Sequence, residues 1–95
     1  MASNNRLIIF TGTECDHCHD NEPVVKRIEK ELGINIERLE VWHNAQNAAF
    51  LERIDKSEDG GIFCGGIPFF YSEKTGKKLC GPQKYEKLKE WALGR

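Results

Sequence analysis

Four cysteines set the chemical question. Cys15 and Cys18 close the run Cys15-Asp16-His17-Cys18, and Cys64 and Cys80 lie further along the 95-residue chain. Two intervening residues let a pair of sulfurs meet across one helical turn, so a disulfide there opens and closes with little backbone movement. A helix N-terminus carries partial positive charge and unpaired N–H groups, both of which stabilise a thiolate. With a helix starting at this pair, Cys15 is expected to be the more exposed and more acidic thiol. Cys18, one turn in, is then the shielded resolving group. A protonated His17 ring, or its N–H, favours the Cys15 thiolate, while the anions Asp16 and Glu14 push the other way. The competing chemistry is a zinc- or copper-binding module. Cys15, Cys18 and either His17 or His19 offer three ligands, and Cys64 or Cys80 a fourth. The strong zinc patterns use two close pairs, whereas Cys64 and Cys80 stand 16 positions apart. Redox chemistry is therefore preferred, with no metal assigned.

The elements that must position these sulfurs follow from apolar patterning. Leu7-Ile8-Ile9-Phe10 is a continuous apolar run bounded by Thr11 and Gly12, as expected of a short buried strand. The helix after the cysteine pair has an inner stripe of Val24, Ile28 and Leu32, widened by Val25. Gly33 suits its C-terminus, and Pro23 is expected to kink or restart it. Ile34 to Trp42 supplies a second strand with an ambiguous phase at Glu37-Arg38. Asn44 caps a short helix carrying Ala48, Ala49, Leu51 and Ile54. Asp55 to Gly66 is a polar, glycine-rich loop of a length that tends to be functional or mobile. Ile67 to Tyr71 and Lys77 to Cys80 form a hairpin, and Pro82 opens a last helix with the stripe Tyr85, Leu88, Trp91 and Ala92. The order is β-α-β-α-β-β-α. A parallel first pair with a right-handed crossover and an antiparallel last pair make a four-stranded mixed sheet with helices on both faces, an α/β fold.

Composition narrows the function classes. Lys+Arg is 14 and Asp+Glu 15, a net charge of −1, with 39% hydrophobic and 31% charged residues. That balance suits one soluble domain over residues 1–95. No basic excess supports nucleic-acid binding, and no apolar run approaches the roughly 20 residues of a membrane span. The run at Leu7 is too brief for a secretory signal core, so a cytoplasmic location is expected.

In order and spacing, these residues resemble the thioredoxin superfamily from about Leu7 to Trp91. Cys15-Asp16-His17-Cys18 followed by Pro23 is similar to that family's active-site helix. Gly66-Ile67-Pro68 resembles its segment ending in a cis-proline. Lys74-Thr75-Gly76-Lys77, Gly81 and Leu88-Lys89-Glu90-Trp91 resemble its hairpin turn, a glycine beside the active site, and its last helix. The departures are Glu14 in place of a tryptophan and Ile9 where a buried carboxylate assists the resolving cysteine. The chain also lacks the extra first strand and helix. Its opening looks equally like a glutaredoxin, but no glutathione-site pattern opens the final helix, so a short thioredoxin-like protein is the nearer match. The resemblance implies a thiol–disulfide oxidoreductase in which Cys15 attacks, Cys18 resolves, and Ile67, Pro68 and Gly81 face the substrate. It also implies no cofactor, a disulfide-containing protein substrate, an electron donor of the thioredoxin-reductase type or glutathione, and a monomer. Histidine between the cysteines accompanies oxidising relatives, so the expected potential is less reducing than that of a standard thioredoxin.

Three readings stay open for Cys64 and Cys80: packing thiols, a second disulfide or resolving pair, or metal ligands. Folding the hairpin sets Cys80 opposite about Phe69, which puts both at the Cys15 end of the sheet. His19 and His43 read as surface residues. Phe69, Phe70, Trp42 and Trp91 read as core, with Phe63 a candidate to grip a partner.

Overall fold

A computed structural model describes residues 6–94. Its elements are β1 (Leu7–Thr11), α1 (Asp16–Leu32), β2 (Glu37–Glu40), α2 (Ala45–Ile54), β3 (Phe69–Ser72), β4 (Lys78–Cys80) and α3 (Tyr85–Ala92). The sheet order is β2-β1-β3-β4, with β1 parallel to β2 and antiparallel to β3, and β3 antiparallel to β4. This is the expected mixed α/β sheet, and Cys80 pairs with Phe69 in the anticipated register.

Central β1 is covered on both faces, which is why it has no polar alternation. Leu7 and Ile9 pack with Val25, Ile28, Phe70, Leu88 and Trp91 under α1 and α3. Ile8 and Phe10 pack with Phe69 and, from α2, Phe50, Leu51 and Ile54. Edge-to-face ring pairs join both layers to the sheet: Phe10 and Phe50 at 5.4 Å, and Phe70 and Trp91 at 5.5 Å between centroids.

The buried residues of α1 are Cys18, Asn21, Val25 and Ile28. The inner stripe is thus rotated from the expected one, with Val24 and Leu32 at its flank, and it carries Cys18 into the protein. The helix runs unbroken through Pro23 rather than restarting there; the prolyl nitrogen simply leaves the His19 carbonyl without its usual donor. Gly33 ends the helix with φ 66°, as expected of a left-handed C-terminal residue.

Three boundaries differ from expectation, each for a local reason. Residues 34–36 close α1 instead of joining β2: Ile34 N–H bonds to the Glu29 carbonyl and Ile36 N–H to the Glu29 carboxylate. Arg38 turns back onto the same carboxylate and onto Glu22, which settles the phase of that charged pair. Burial alone would raise the Glu29 carboxyl, but the Arg38 and Ile36 hydrogen bonds outweigh it and hold it below the usual range. Pro68, joined to Ile67 by a cis bond, has no N–H to give to the ladder, and β3 starts at Phe69. Pro82 precedes α3 rather than opening it, because the Gln83 backbone is tied to Asn21 and the helix starts after the extended N-cap Lys84.

Candidate functional site

Cys15 is the N-cap of α1, with φ −83° and ψ 107°, and its Sγ accepts from the Cys18 N–H at 3.2 Å. The two cysteines form a disulfide with Cα atoms 5.2 Å apart, within the range that such bonds require. Cys15 is only 5% exposed and Cys18 6%. The expected contrast in exposure is therefore absent in the oxidised state. A cap side chain turns back over the first helical turn, so Cys15 folds inward beside Cys18.

The loop before the pair is fastened from several sides. Cys15 N–H donates to the Gly12 carbonyl at 3.1 Å. The Glu40 carboxylate, at the end of β2, accepts from the N–H groups of Thr13 (3.1 Å), His43 (2.8 Å) and Trp42 (3.2 Å). His19 Nε2 donates to the Thr13 carbonyl at 2.7 Å. His43 Nε2 donates to the Glu14 carboxylate at 2.8 Å, and that hydrogen bond, with the charges of Glu14 and Glu40, raises the imidazole above its ordinary value. His19 and His43 thus stand on the surface as expected, yet both brace the active-site loop. His17 is exposed, and its imidazole has no hydrogen-bond partner among the described residues.

Opposite this loop is the cis Ile67–Pro68 bond. An added Cβ at Gly12 would lie 2.6 Å from Trp42 Cδ2 and 2.9 Å from Ile67 Cδ1, so the three residues meet without spare room. The Ile67 N–H and C=O have no hydrogen-bond partner among the described residues. Gly81, at φ 82°, spends its N–H on the Pro68 carbonyl at 2.9 Å. Of Ile67, Pro68 and Gly81, only Ile67 therefore offers free backbone groups. A cleft of about 500 Å³ opens beside it, lined by Trp42, Leu51, Ile62 and Ile67 together with the charged Glu52, Asp55 and Lys56. Trp42 is 52% exposed and Ile62 73%, so Trp42 belongs to this wall and not to the core. Phe63 is exposed, edge-on to Phe69 at 5.9 Å with Lys78 over its ring.

Cys64 and Cys80 form a second disulfide with Cα atoms 5.5 Å apart. Of the three readings for these residues, the structure adopts this one, and they are neither packing thiols nor free ligands. No three His, Cys, Asp or Glu side chains group as a metal-ligand set among the described residues.

Sequence reasoning passed over three residues that build the site. Asn21, 6% exposed, accepts from Gln83 N–H and donates to Gln83 C=O, both at 2.9 Å, and so ties the segment after Cys80 to α1. Its place three residues after Cys18 on the buried stripe was the available signal. Glu40 had none, since an acidic residue ending a strand is usually solvated. Trp42 was disguised by following an apolar stretch.

No family model and no curated protein matches the sequence. Among solved structures, the chain is similar to thio-disulfide isomerase from Thermus thermophilus, at 18% identity and TM-score 0.63, covering 97% of this chain and 79% of that one. It is also similar to thioredoxin-2, a component of the malaria parasite protein secretion machinery, at 15% identity and TM-score 0.59, covering 100% and 88% respectively. The chain has the thioredoxin fold, with a Cys-x-x-Cys disulfide at the start of its first helix.

Proposed function

We propose that the protein is a thiol–disulfide oxidoreductase acting on disulfide-containing polypeptides. One observation carries the reading: a Cys15–Cys18 disulfide stands at the N-cap of α1, and Gly12 in the loop before it packs against Ile67, whose backbone N–H and C=O have no hydrogen-bond partner among the described residues. In the reductive direction, the Cys15 thiolate attacks one sulfur of a substrate disulfide and expels the other as thiolate. Cys18 loses its proton, attacks Cys15 Sγ in the mixed disulfide, and releases the second substrate thiolate. Two electrons leave the Cys15–Cys18 pair, which ends as the disulfide. The Cys18 N–H directed at Cys15 Sγ and the helix N-terminus supply the stabilisation that a thiolate needs. An extended substrate pairs with Ile67 N–H and C=O, and an apolar side chain beside its cysteine enters the adjoining cleft between Trp42 and Ile62.

His17 would raise the thiolate fraction of Cys15 and so favour the reduced form. With Ile9 buried at the carboxylate position of the resemblance, the Cys18 proton would pass to water. Recycling would come from a reductase of the thioredoxin-reductase type or from glutathione, with the protein a monomer in the cytoplasm. The test is a Cys18→Ser variant, expected to trap a mixed disulfide at Cys15 with a disulfide-bearing protein such as insulin. Wild type should reduce insulin, with a redox potential less reducing than that of a standard thioredoxin. Stoichiometric zinc or copper in protein purified under reducing conditions, with no trapped partner and no insulin reduction, would replace this reading by the metal-binding one.

A further inference from the structure

We infer that Cys64–Cys80 is a second exchangeable disulfide, and that its redox state sets how firmly the substrate-facing Ile67 segment is held. The pair is placed for both parts. Cys80 is exposed at the end of the edge strand β4, and Cys64 is partly exposed in the loop before Pro68. Exposed disulfides are the labile ones, because an incoming thiolate reaches the sulfur without unfolding the protein. The reduced form also has a place ready. Cys64 Sγ lies 3.6 Å from the Gly66 carbonyl, a distance at which a thiol S–H donates. The Asp55 carboxylate accepts from the Cys64 and Gly65 N–H groups at 2.6 and 2.8 Å, bonds that do not involve the sulfurs.

The ring closed by this bond contains Gly65, Gly66, Ile67 and Pro68. Its far end, Cys80, is anchored to the active-site helix through Gln83, which donates to the Cys80 carbonyl and is itself held by Asn21. The oxidised pair therefore fastens Ile67 from the loop side to the same helix that carries Cys15 and Cys18. Opening it leaves two glycines, Gly65 at φ 78° among them, as the link between the Asp55 clamp and Ile67. Glycine has the most backbone freedom to regain, so the Ile67 segment loosens there first.

The exchange balances with a monothiol of the glutathione class. Its thiolate attacks Cys80 Sγ, the Cys64–Cys80 bond breaks, and Cys64 leaves as a thiolate that takes up a proton. A second monothiol thiolate attacks the monothiol sulfur of the mixed disulfide, forming the oxidised monothiol dimer and releasing the Cys80 thiolate, which is protonated in turn. Two electrons pass from the two monothiols to the pair.

The consequence for substrates rests on the oxidoreductase reading above. A polypeptide disulfide needs the Ile67 segment in place, whereas a small aromatic disulfide needs only Cys15. Re-ordering about one residue of backbone on binding weakens capture roughly tenfold.

Two measurements test this. In a Cys15→Ser/Cys18→Ser protein, the Cys64–Cys80 state is read by thiol labelling and mass across a glutathione redox series. The parallel reading on wild type, by mass of the labelled peptides, guards against a misfolded variant. A reversible two-electron transition with unchanged far-ultraviolet circular dichroism is expected. A pair that stays oxidised at the most reducing glutathione ratio, or whose reduction unfolds the chain, overturns the inference. In a Cys64→Ser/Cys80→Ser protein, KM for insulin should rise roughly tenfold while the reaction with the small aromatic disulfide keeps its rate. An unchanged KM, or equal loss on both substrates, refutes the control of Ile67. Wild type inert towards both substrates would instead sink the oxidoreductase reading, leaving the glutathione titration to stand by itself.

Discussion

A methyl group at position 12 separates the fit of the Ile67 segment from the stability of the fold. In Gly12→Ala, the new Cβ would stand 2.6 and 2.7 Å from Trp42 Cδ2 and Cε3, and 2.9 Å from Ile67 Cδ1. Carbon atoms settle about 3.5–4.0 Å apart, so the indole and the isoleucine must each retreat by roughly 1 Å. Overpacking in a closed core costs about 1–3 kcal/mol. Trp42 has an open side, being 52% exposed, so the lower end applies, about 1 kcal/mol. With a urea m-value near 1–1.5 kcal/mol/M for a small domain, the unfolding midpoint falls by roughly 0.7–1 M. The functional loss is larger, since a shift of about 1 Å in a positioning group costs up to roughly 100-fold in rate. We expect kcat/KM for insulin to drop about 10- to 100-fold while the alkylation rate of Cys15 stays within twofold. Trp42→Ala removes the two closer contacts and leaves the one with Ile67 Cδ1, so the double variant Gly12→Ala/Trp42→Ala should lose less than the sum of the singles. Insulin activity within twofold of wild type in Gly12→Ala, or full additivity in the double variant, would refute the placement of Ile67 and Trp42 against Gly12.

Three further predictions concern the braces around the site. Asn21→Ala removes two side chain–backbone bonds to Gln83 and should cost about 1–3 kcal/mol in urea unfolding, with Asn21→Asp recovering part because it keeps the acceptor; a loss under about 0.5 kcal/mol would contradict the bridge. The depressed Glu29 carboxyl contributes stability that is present above its unfolded value of 4.5 and lost as pH falls through the lower folded value. Wild type should therefore exceed Glu29→Gln in stability at neutral pH and converge with it below 4.5, and a gap that persists in acid argues against the Arg38 pairing. The raised His43 imidazole gains its pairing with Glu14 below the unfolded value of 6.5 and loses it as pH rises through the higher folded value. An NMR titration should place its midpoint above 6.5 and Glu14→Gln should bring it back, whereas an unmoved midpoint in the variant removes Glu14 as the cause.

How much of this was legible depended on whether the signal was local. Leu7 to Phe10, Gly33 and Asn44 announce their elements because apolar runs, left-handed glycines and N-caps act within a few residues. The Cys15–Cys18 pair was legible for the same reason. What escaped depends on partners far along the chain. Arg38 meets Glu22 and Glu29 on α1, Asn21 meets Gln83, and Glu40 meets Thr13. Polar side chains at such positions look identical to solvated ones until the backbone brings a donor to them. Cys64 and Cys80 were half legible: the hairpin register gave their end of the sheet, but only the path of the 55–66 loop decided that they bond.

The braces share a chemical character that bears on mechanism. Glu40 fastens the 13 and 42–43 backbones, Asp55 the 64–65 backbone, and Asn21 the Gln83 backbone. Each is an oxygen acceptor spent on main-chain N–H groups, and none touches a sulfur. Among the described residues, the Cys15 sulfur accepts only from the Cys18 N–H. The buried polar side chains are Asn21 and Ser72, and Asn21 is already committed to Gln83. Among the described residues, no hydrogen bond joins a side-chain acid or base to either sulfur of the pair. Fixed backbone dipoles, which do not titrate, and the loops that hold the attacking geometry then act beside the charge proposed for His17. The pH dependence of the first step should then follow the Cys15 thiol itself. Disturbance of the loop braces should lower the rate without moving that profile.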